Sequence, residues 1–155
     1  MYGFTIVESL QKMNEDIKLH ELKYHKKRVI VSKEFTFDAA HHLHCYEGKC
    51  KNLHGHTYKV IFGISGYVNE IGIVIDFADI KQIWKKHIEV HLDHRYLNDT
   101  LPKMNTTAEN MVVWIYETME KALLNEANDS RVEFVKLYET PTSYAEARRE
   151  WMTHE

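Results

Sequence analysis

Leu53-His54-Gly55-His56-Thr57-Tyr58-Lys59-Val60-Ile61-Phe62-Gly63-Ile64 reads as a β-strand. Tyr58, Val60, Phe62 and Ile64 occupy alternate positions, and alternate positions of a strand share a face. His54 and His56 continue that series at its N-terminal end, so two imidazoles point where the apolar side chains point. An unpartnered imidazole is poorly placed there. Upstream the same period appears again: Val29, Val31, Phe35, Phe37 and Ala39 alternate broadly with Ser32, Thr36 and Asp38. His41 carries that parity one step further. His42 and His44 have the opposite parity and face outward if the strand persists.

The span from Ala39 to His56 concentrates five of the eleven histidines and both cysteines in eighteen residues. Neutral imidazole is a common zinc ligand, and three of them leave the fourth tetrahedral position open, as catalytic rather than structural zinc sites do. His41, His54 and His56 are therefore the candidate metal ligands. Satisfied core histidines are the plainer alternative. A structural site from Cys45, Cys50, His54 and His56 fits poorly, because its histidines lack the three-to-five-residue separation of zinc fingers and its cysteine-to-histidine loop is too short. Metal-dependent barrel hydrolases also use His-x-His, but a complete barrel needs ~250 residues.

Outward from this region, Gly72 breaks the chain before the apolar run Ile73-Val74-Ile75. Asp76 is a suitable N-cap for a helix whose Phe77, Ile80, Ile83, Trp84 and Ile88 form one stripe. Thr106 and Glu109 have capping-box spacing ahead of a second stripe: Met111, Val112, Ile115, Met119, Ala122 and Leu123. A final strand runs from Val132 to Glu139 and stops at Pro141, with a further strand or helix over residues 142–151 left open. The expected class is α+β, an antiparallel sheet with two helices on one face, in the order β-β-α-α-β-β. Residues 1–27, with Ile6, Leu10, Met13, Ile17 and Leu22 at loosely helical spacing, read as an extension before a single domain over residues 28–155.

Composition narrows the partners. A net charge of −3 offers no basic footprint for a nucleic-acid backbone. No run approaches the ~20 apolar residues of a membrane span. Two cysteines are too few for a disulfide framework. The expectation is a cytoplasmic protein with neither nucleic-acid nor membrane partners.

Three further groups bear chemistry. Cys50 stands between Lys49 and Lys51, whose charges favour thiolate; an ordinary loop cysteine is the alternative. Cys45 has no comparable setting. Asp93-His94 pairs a carboxylate with an imidazole, the arrangement of a proton shuttle and also a common surface pairing. Glu139 shares the parity of Val135 and Leu137, so its carboxylate is expected to be partly buried and in need of donors, unless it simply ends the strand in water.

Together, Phe35-Thr36-Phe37-Asp38-Ala39-Ala40-His41, Gly48-Lys49-Cys50, Leu53-His54-Gly55-His56, Ile75-Asp76-Phe77, Leu92-Asp93-His94, Thr107-Ala108-Glu109-Asn110 and Tyr138-Glu139-Thr140 resemble the 6-pyruvoyl-tetrahydropterin synthase superfamily. The Cys-x3-His-Gly-His spacing is most similar to its bacterial 6-carboxy-5,6,7,8-tetrahydropterin synthase branch, of the queuosine pathway. The resemblance implies the tunnelling fold, in which sheets from several subunits close into a barrel with sites at subunit interfaces, here expected as a homohexamer (a dimer of trimers). It implies Zn2+ on His41, His54 and His56, and a catalytic triad of Cys50, Asp93 and His94 drawn from neighbouring subunits. Glu139 then anchors the pterin, with Thr107 as a second contact. The implied reaction takes 7,8-dihydroneopterin triphosphate to 6-carboxytetrahydropterin, acetaldehyde and triphosphate. Formation of 6-pyruvoyl-tetrahydropterin is the alternative within the fold, and a non-catalytic zinc-stabilised pterin-binding protein the alternative outside enzymes. Asn105-Thr106-Thr107 departs from the Asn-Pro-Thr usual in the family.

Overall fold

The computed structural model of the chain describes residues 17–125 and 129–152. Two fourteen-residue strands, β1 (Arg28–His41) and β2 (His54–Tyr67), pair antiparallel over their whole length, from Arg28 opposite Tyr67 to His41 opposite His54. Next come α1 (Phe77–Ile83), a π-helical segment (Trp84–Glu89) and a last turn, α2 (Val90–Leu92). β3 (Arg95–Tyr96), α3 (Leu97–Thr100) and α4 (Ala108–Leu123) lead to β4 (Arg131–Thr140), β5 (Ser143–Arg148) and α5 (Arg149–Met152). The sheet order is β3-β1-β2-β4-β5, antiparallel except where β3 lies parallel to Ala39–Ala40.

The α+β class stands, but the element order is richer than β-β-α-α-β-β. β3 is two residues long, too short to show a period, and interrupts the helical region. The open choice over residues 142–151 resolves into both forms, strand β5 and then the α5 turn. Ile73-Val74-Ile75 forms no strand, although Val74 and Ile75 are buried. Of the extension, Leu19–Glu21 is a single 3-10 turn, Ile17 and Leu22 are exposed, and Ile6, Leu10 and Met13 lie outside the described residues.

Asp76 caps α1 as expected, its carboxylate accepting the Ala78 N–H at 2.8 Å. The cap of α4 is one residue later than the sequence pattern indicates. Thr107 accepts the Asn110 N–H at 3.2 Å, whereas Thr106 is fully buried against His41. A cap needs a residue at the helix entrance with a free hydroxyl, and Thr106 spends its hydroxyl elsewhere.

One face of the sheet packs under the helices. Phe37, Tyr58, Val60, Phe62 and Ile64 meet Ile80, Trp84 and Ile88 from the first helical stretch, and Met111, Ile115 and Met119 from α4. Trp84 organises this contact: its ring stacks on Phe35 at 4.8 Å with 5° between planes, and its Nε1–H donates to Glu89 Oε2 at 2.8 Å. That bond spans five residues, the repeat of the π-helical turn it closes. Gly63 is required on the opposite face, where a Cβ would come within 2.1 Å of the Phe134 ring laid across it. Replacing Trp84 by Ala empties the largest fully buried side chain and is expected to cost about 3–5 kcal/mol in urea unfolding. A loss below about 1 kcal/mol would show that the helices are held without it.

Candidate active site

The β1–β2 register builds the first half of the site. His41 ends β1 directly opposite His54, which begins β2, while His56 faces Ala39 two positions along. All three share the core-facing side, as strand parity indicates, and stand where the sheet outruns the hydrophobic core. β1 stops at His41, so the expectation that His42 faces outward fails. Its ring lies half-buried against Tyr96, with Nδ1 2.5 Å from the phenol oxygen. His44 is exposed.

His41 is 1 % exposed, and its Nδ1–H donates to the Thr106 carbonyl at 2.7 Å, with the Thr106 hydroxyl at 3.1 Å. The His54 Nδ1–H donates to the Asn52 carbonyl at 2.8 Å. A carbonyl only accepts, so both rings carry their proton on Nδ1 and a lone pair on Nε2. Those two Nε2 atoms face each other at 3.0 Å. Two lone pairs at that separation repel, and a shared cation turns the repulsion into coordination. The His56 Nε2 is buried without an aligned hydrogen-bond partner, although Glu139 Oε1 lies 3.0 Å away. Burial pulls the proton affinity of His41 and His56 below the ordinary imidazole value, outweighing the nearby Glu139 carboxylate. These rings are therefore neutral, the state in which imidazole ligates.

The ligand atoms of His41, His54, His56 and Glu139 all lie within 4.8 Å of one another. Three imidazole nitrogens with a carboxylate oxygen suit zinc and other divalent first-row ions. The residues present fit such an ion, with Thr106 and Asn52 as the outer partners that fix ligand tautomers. Glu139 is 26 % exposed at its side chain, partly buried as its parity indicates, with Oε1 3.0 Å from His56 Nε2.

Cys50 occupies the middle of a 3-10 turn (Lys49–Lys51) and is half-buried. It lines a cavity of about 350 Å³ together with His41, Thr107 and Glu139. One chain thus brings the Cys50 thiol, the His41 imidazole and the Glu139 carboxylate to one opening. Cys45 is exposed at the rim and adopts a left-handed conformation, φ 56°.

Asp93 and His94 are built elsewhere. His94 lines a second cavity with Asp38, Thr57 and His56, and Asp38 and Thr57 are paired positions of the ribbon with the opposite parity to His41 and His54. His94 Nδ1 lies 2.9 Å from Asp93 Oδ2, and the His94 side chain is 78 % exposed. The backbone makes a sharp left-handed turn at His94, φ 57°, held by its N–H donating to the Asp38 carbonyl at 2.7 Å. In return the Asp38 N–H donates to Asp93 Oδ1 at 3.1 Å. A non-glycine residue in this region is costly and persists where surrounding bonds enforce it. The Asp93 bond holds His94 above the ordinary imidazole range. Partial burial works against ionisation of Asp93, but the Asp38 N–H and His94 together keep its carboxyl below the usual value.

The sequence did not disclose Thr106, Asn52 or Asp38 as supports. Thr106 reads there as a helix cap, and its contact with His41 spans 65 residues.

Fold and site define an α+β protein of the tunnelling-fold class, carrying a donor set suited to a divalent cation beside a cysteine thiol. A sequence model of the family described as 6-pyruvoyl tetrahydropterin synthase matches residues 30–150. The 6-carboxy-5,6,7,8-tetrahydropterin synthase of Haemophilus influenzae is 38% identical, over 75% of this chain and 96% of the relative. That of Synechocystis sp. is 39% identical, over 75% and 90%. The solved structure of Caenorhabditis elegans 6-pyruvoyl tetrahydropterin synthase superposes with a TM-score of 0.71 at 25% identity, covering 81% of this chain and 99% of that one. The chain belongs to the 6-pyruvoyl tetrahydropterin synthase family and is an enzyme, a lyase.

Because Asp93 raises the His94 proton affinity, the imidazolium persists to higher pH than in a free histidine. Asp93→Asn is expected to lower the His94 pKa toward the ordinary value near ~6.5, read by 15N-edited NMR titration. An unchanged titration would mean that the pair is not coupled.

Proposed function

We propose that the chain is a zinc-dependent lyase that converts 7,8-dihydroneopterin triphosphate and water to 6-carboxy-5,6,7,8-tetrahydropterin, acetaldehyde and triphosphate, a step toward 7-deazaguanine (queuosine) precursors in the cytoplasm. Water belongs in the balance because the new carboxyl needs a second oxygen. The observation that carries this reading is the single cavity shared by His41, Cys50, Thr107 and Glu139. Two relatives at 38% and 39% identity that bear the 6-carboxytetrahydropterin synthase name support it.

On this reading His41, His54 and His56 hold the zinc, which supplies Lewis acidity toward the hydroxyls of the substrate side chain. Cys50, as thiolate, takes a proton from that side chain, with the cationic Lys49 and Lys51 as its sequence neighbours. Glu139 receives the pterin amino group and ring N–H as two parallel donors, so its carboxylate turns from His56 toward the ligand. Thr107, at the mouth of α4, borders the same space and gives a second pterin contact.

His94, oriented by Asp93, relays a second proton. His94 opens into a different cavity from Cys50 of its own chain. That separation supports a site completed by a neighbouring subunit, within a homohexamer formed as a dimer of trimers. The synthase domain then comprises residues 28–155, with 1–27 as an extension.

The test joins metal analysis to product analysis. The purified protein is expected to hold zinc and to release acetaldehyde in step with triphosphate. Triphosphate without acetaldehyde would instead make it a 6-pyruvoyl-tetrahydropterin former, and no turnover at all a pterin-binding protein. Cys50→Ala is expected to retain zinc and lose on the order of 10²-fold or more in kcat; full activity in that variant would remove the thiol from the mechanism.

A further inference from the structure

The loop between the two metal-ligand strands, residues 42–53, carries Cys50 and makes few backbone bonds of its own. The Leu43 N–H donates to the Cys50 carbonyl at 2.9 Å, and the 3-10 turn closes with Lys51 N–H to Gly48 O at 3.3 Å and Asn52 N–H to Lys49 O at 3.1 Å. Two asparagines from much later in the chain supply further bonds. Asn98, in α3, accepts the His42 N–H at 3.0 Å and donates its Nδ2–H to the His42 carbonyl at 2.9 Å. Asn105, before α4, treats His44 in the same way, at 2.6 Å and 2.9 Å.

Each amide therefore exchanges with one loop residue the pair of bonds that a neighbouring strand would exchange. β1 has ended at His41, and the asparagines continue its pairing one residue at a time, at His42 and at His44. Among side chains only the primary amides present a planar donor and acceptor together, and Asn is the shorter of the two. Aspartate in either place would set a carboxylate oxygen against a carbonyl oxygen. Asn105 is itself fixed, since Asn110 Nδ2–H donates to its carbonyl at 2.9 Å. Three consecutive residues thus have three tasks. Asn105 pins the loop, Thr106 fixes the His41 tautomer, and Thr107 caps α4.

We propose that Asn98 and Asn105 are positioning residues, whose paired amide bonds to His42 and His44 hold the loop so that the Cys50 thiol faces the histidine cluster. Asn105 forms part of the same cavity wall as Cys50, His41 and Glu139, so release of the loop changes the spacing within that cavity. The inference rests on the reading of Cys50 as the reacting thiol.

The test uses the zinc-loaded full chain with Cys45→Ser, which leaves Cys50 as the single thiol. Asn98→Leu and Asn105→Leu are each expected to lower kcat about tenfold or more with KM for the pterin triphosphate within about twofold, because displaced reacting groups lose rate rather than binding. Iodoacetamide alkylation of the half-buried Cys50 is expected to quicken across the pH profile, as local opening of the loop becomes easier. Parent-like kcat and an unchanged alkylation profile in both variants overturn the proposal, whatever happens to Tm. Should leucine prevent folding, Asn105→Asp, which keeps the acceptor for the His44 N–H and removes the donor, carries the test. If the parent protein does not turn over dihydroneopterin triphosphate, the functional reading has failed, and the alkylation profile alone decides the role of the asparagines.

Discussion

The structure depends on two imidazole nitrogens that face each other at 3.0 Å with their lone pairs inward. Each is forced into that state from behind, His41 by the Thr106 carbonyl and His54 by that of Asn52. Burial makes protonation of His41 costly, so the repulsion is not relieved by charging that ring. Buried polar groups without partners cost on the order of 1–3 kcal/mol, and the His56 Nε2 is another such atom. The arrangement suits a divalent cation, which would take up the lone pairs that now face each other.

Much of the remaining architecture serves to hold those rings still. The unbroken β1–β2 register sets His41 opposite His54, and a slip of one residue would put His41 on the opposite face from His54 and His56. Packing of Phe37, Tyr58 and Trp84 beneath them fixes the ribbon against the helices. The segment ahead of α4 returns to the end of β1 and supplies the Thr106 carbonyl. β3 runs beside Ala39–Ala40 and the Asp93–His94 turn is bonded to Asp38, so one hairpin supports both the histidine cluster and the dyad, while Cys50 and His94 line different cavities.

What could be read from sequence followed the range of each signal. The parity of His41, His54 and His56 is local, since a period of two shows within a few residues, and it placed all three correctly. The Asp76 cap and the two helical stripes were legible for the same reason. Thr106 was misread, because spacing to Glu109 fits a capping box and nothing nearby reveals a contact 65 residues away. The π-helical turn at Trp84–Glu89 was invisible, as one extra residue scarcely disturbs an apolar stripe of three turns. His42 was misplaced because parity carries meaning only while the strand lasts, and β1 ends at His41. Adjacency made the Asp93–His94 pair conspicuous but gave no hint of which face of the ribbon it would occupy.

X-ray absorption at the zinc edge of the metal-loaded protein tests the account most directly. Three imidazole nitrogens at ~2.0–2.1 Å, with oxygen completing the shell and no sulfur, is the predicted result. A sulfur scatterer near ~2.3 Å would place Cys50 or Cys45 in the ligand set and contradict the assignment of the facing histidine pair as the metal's seat.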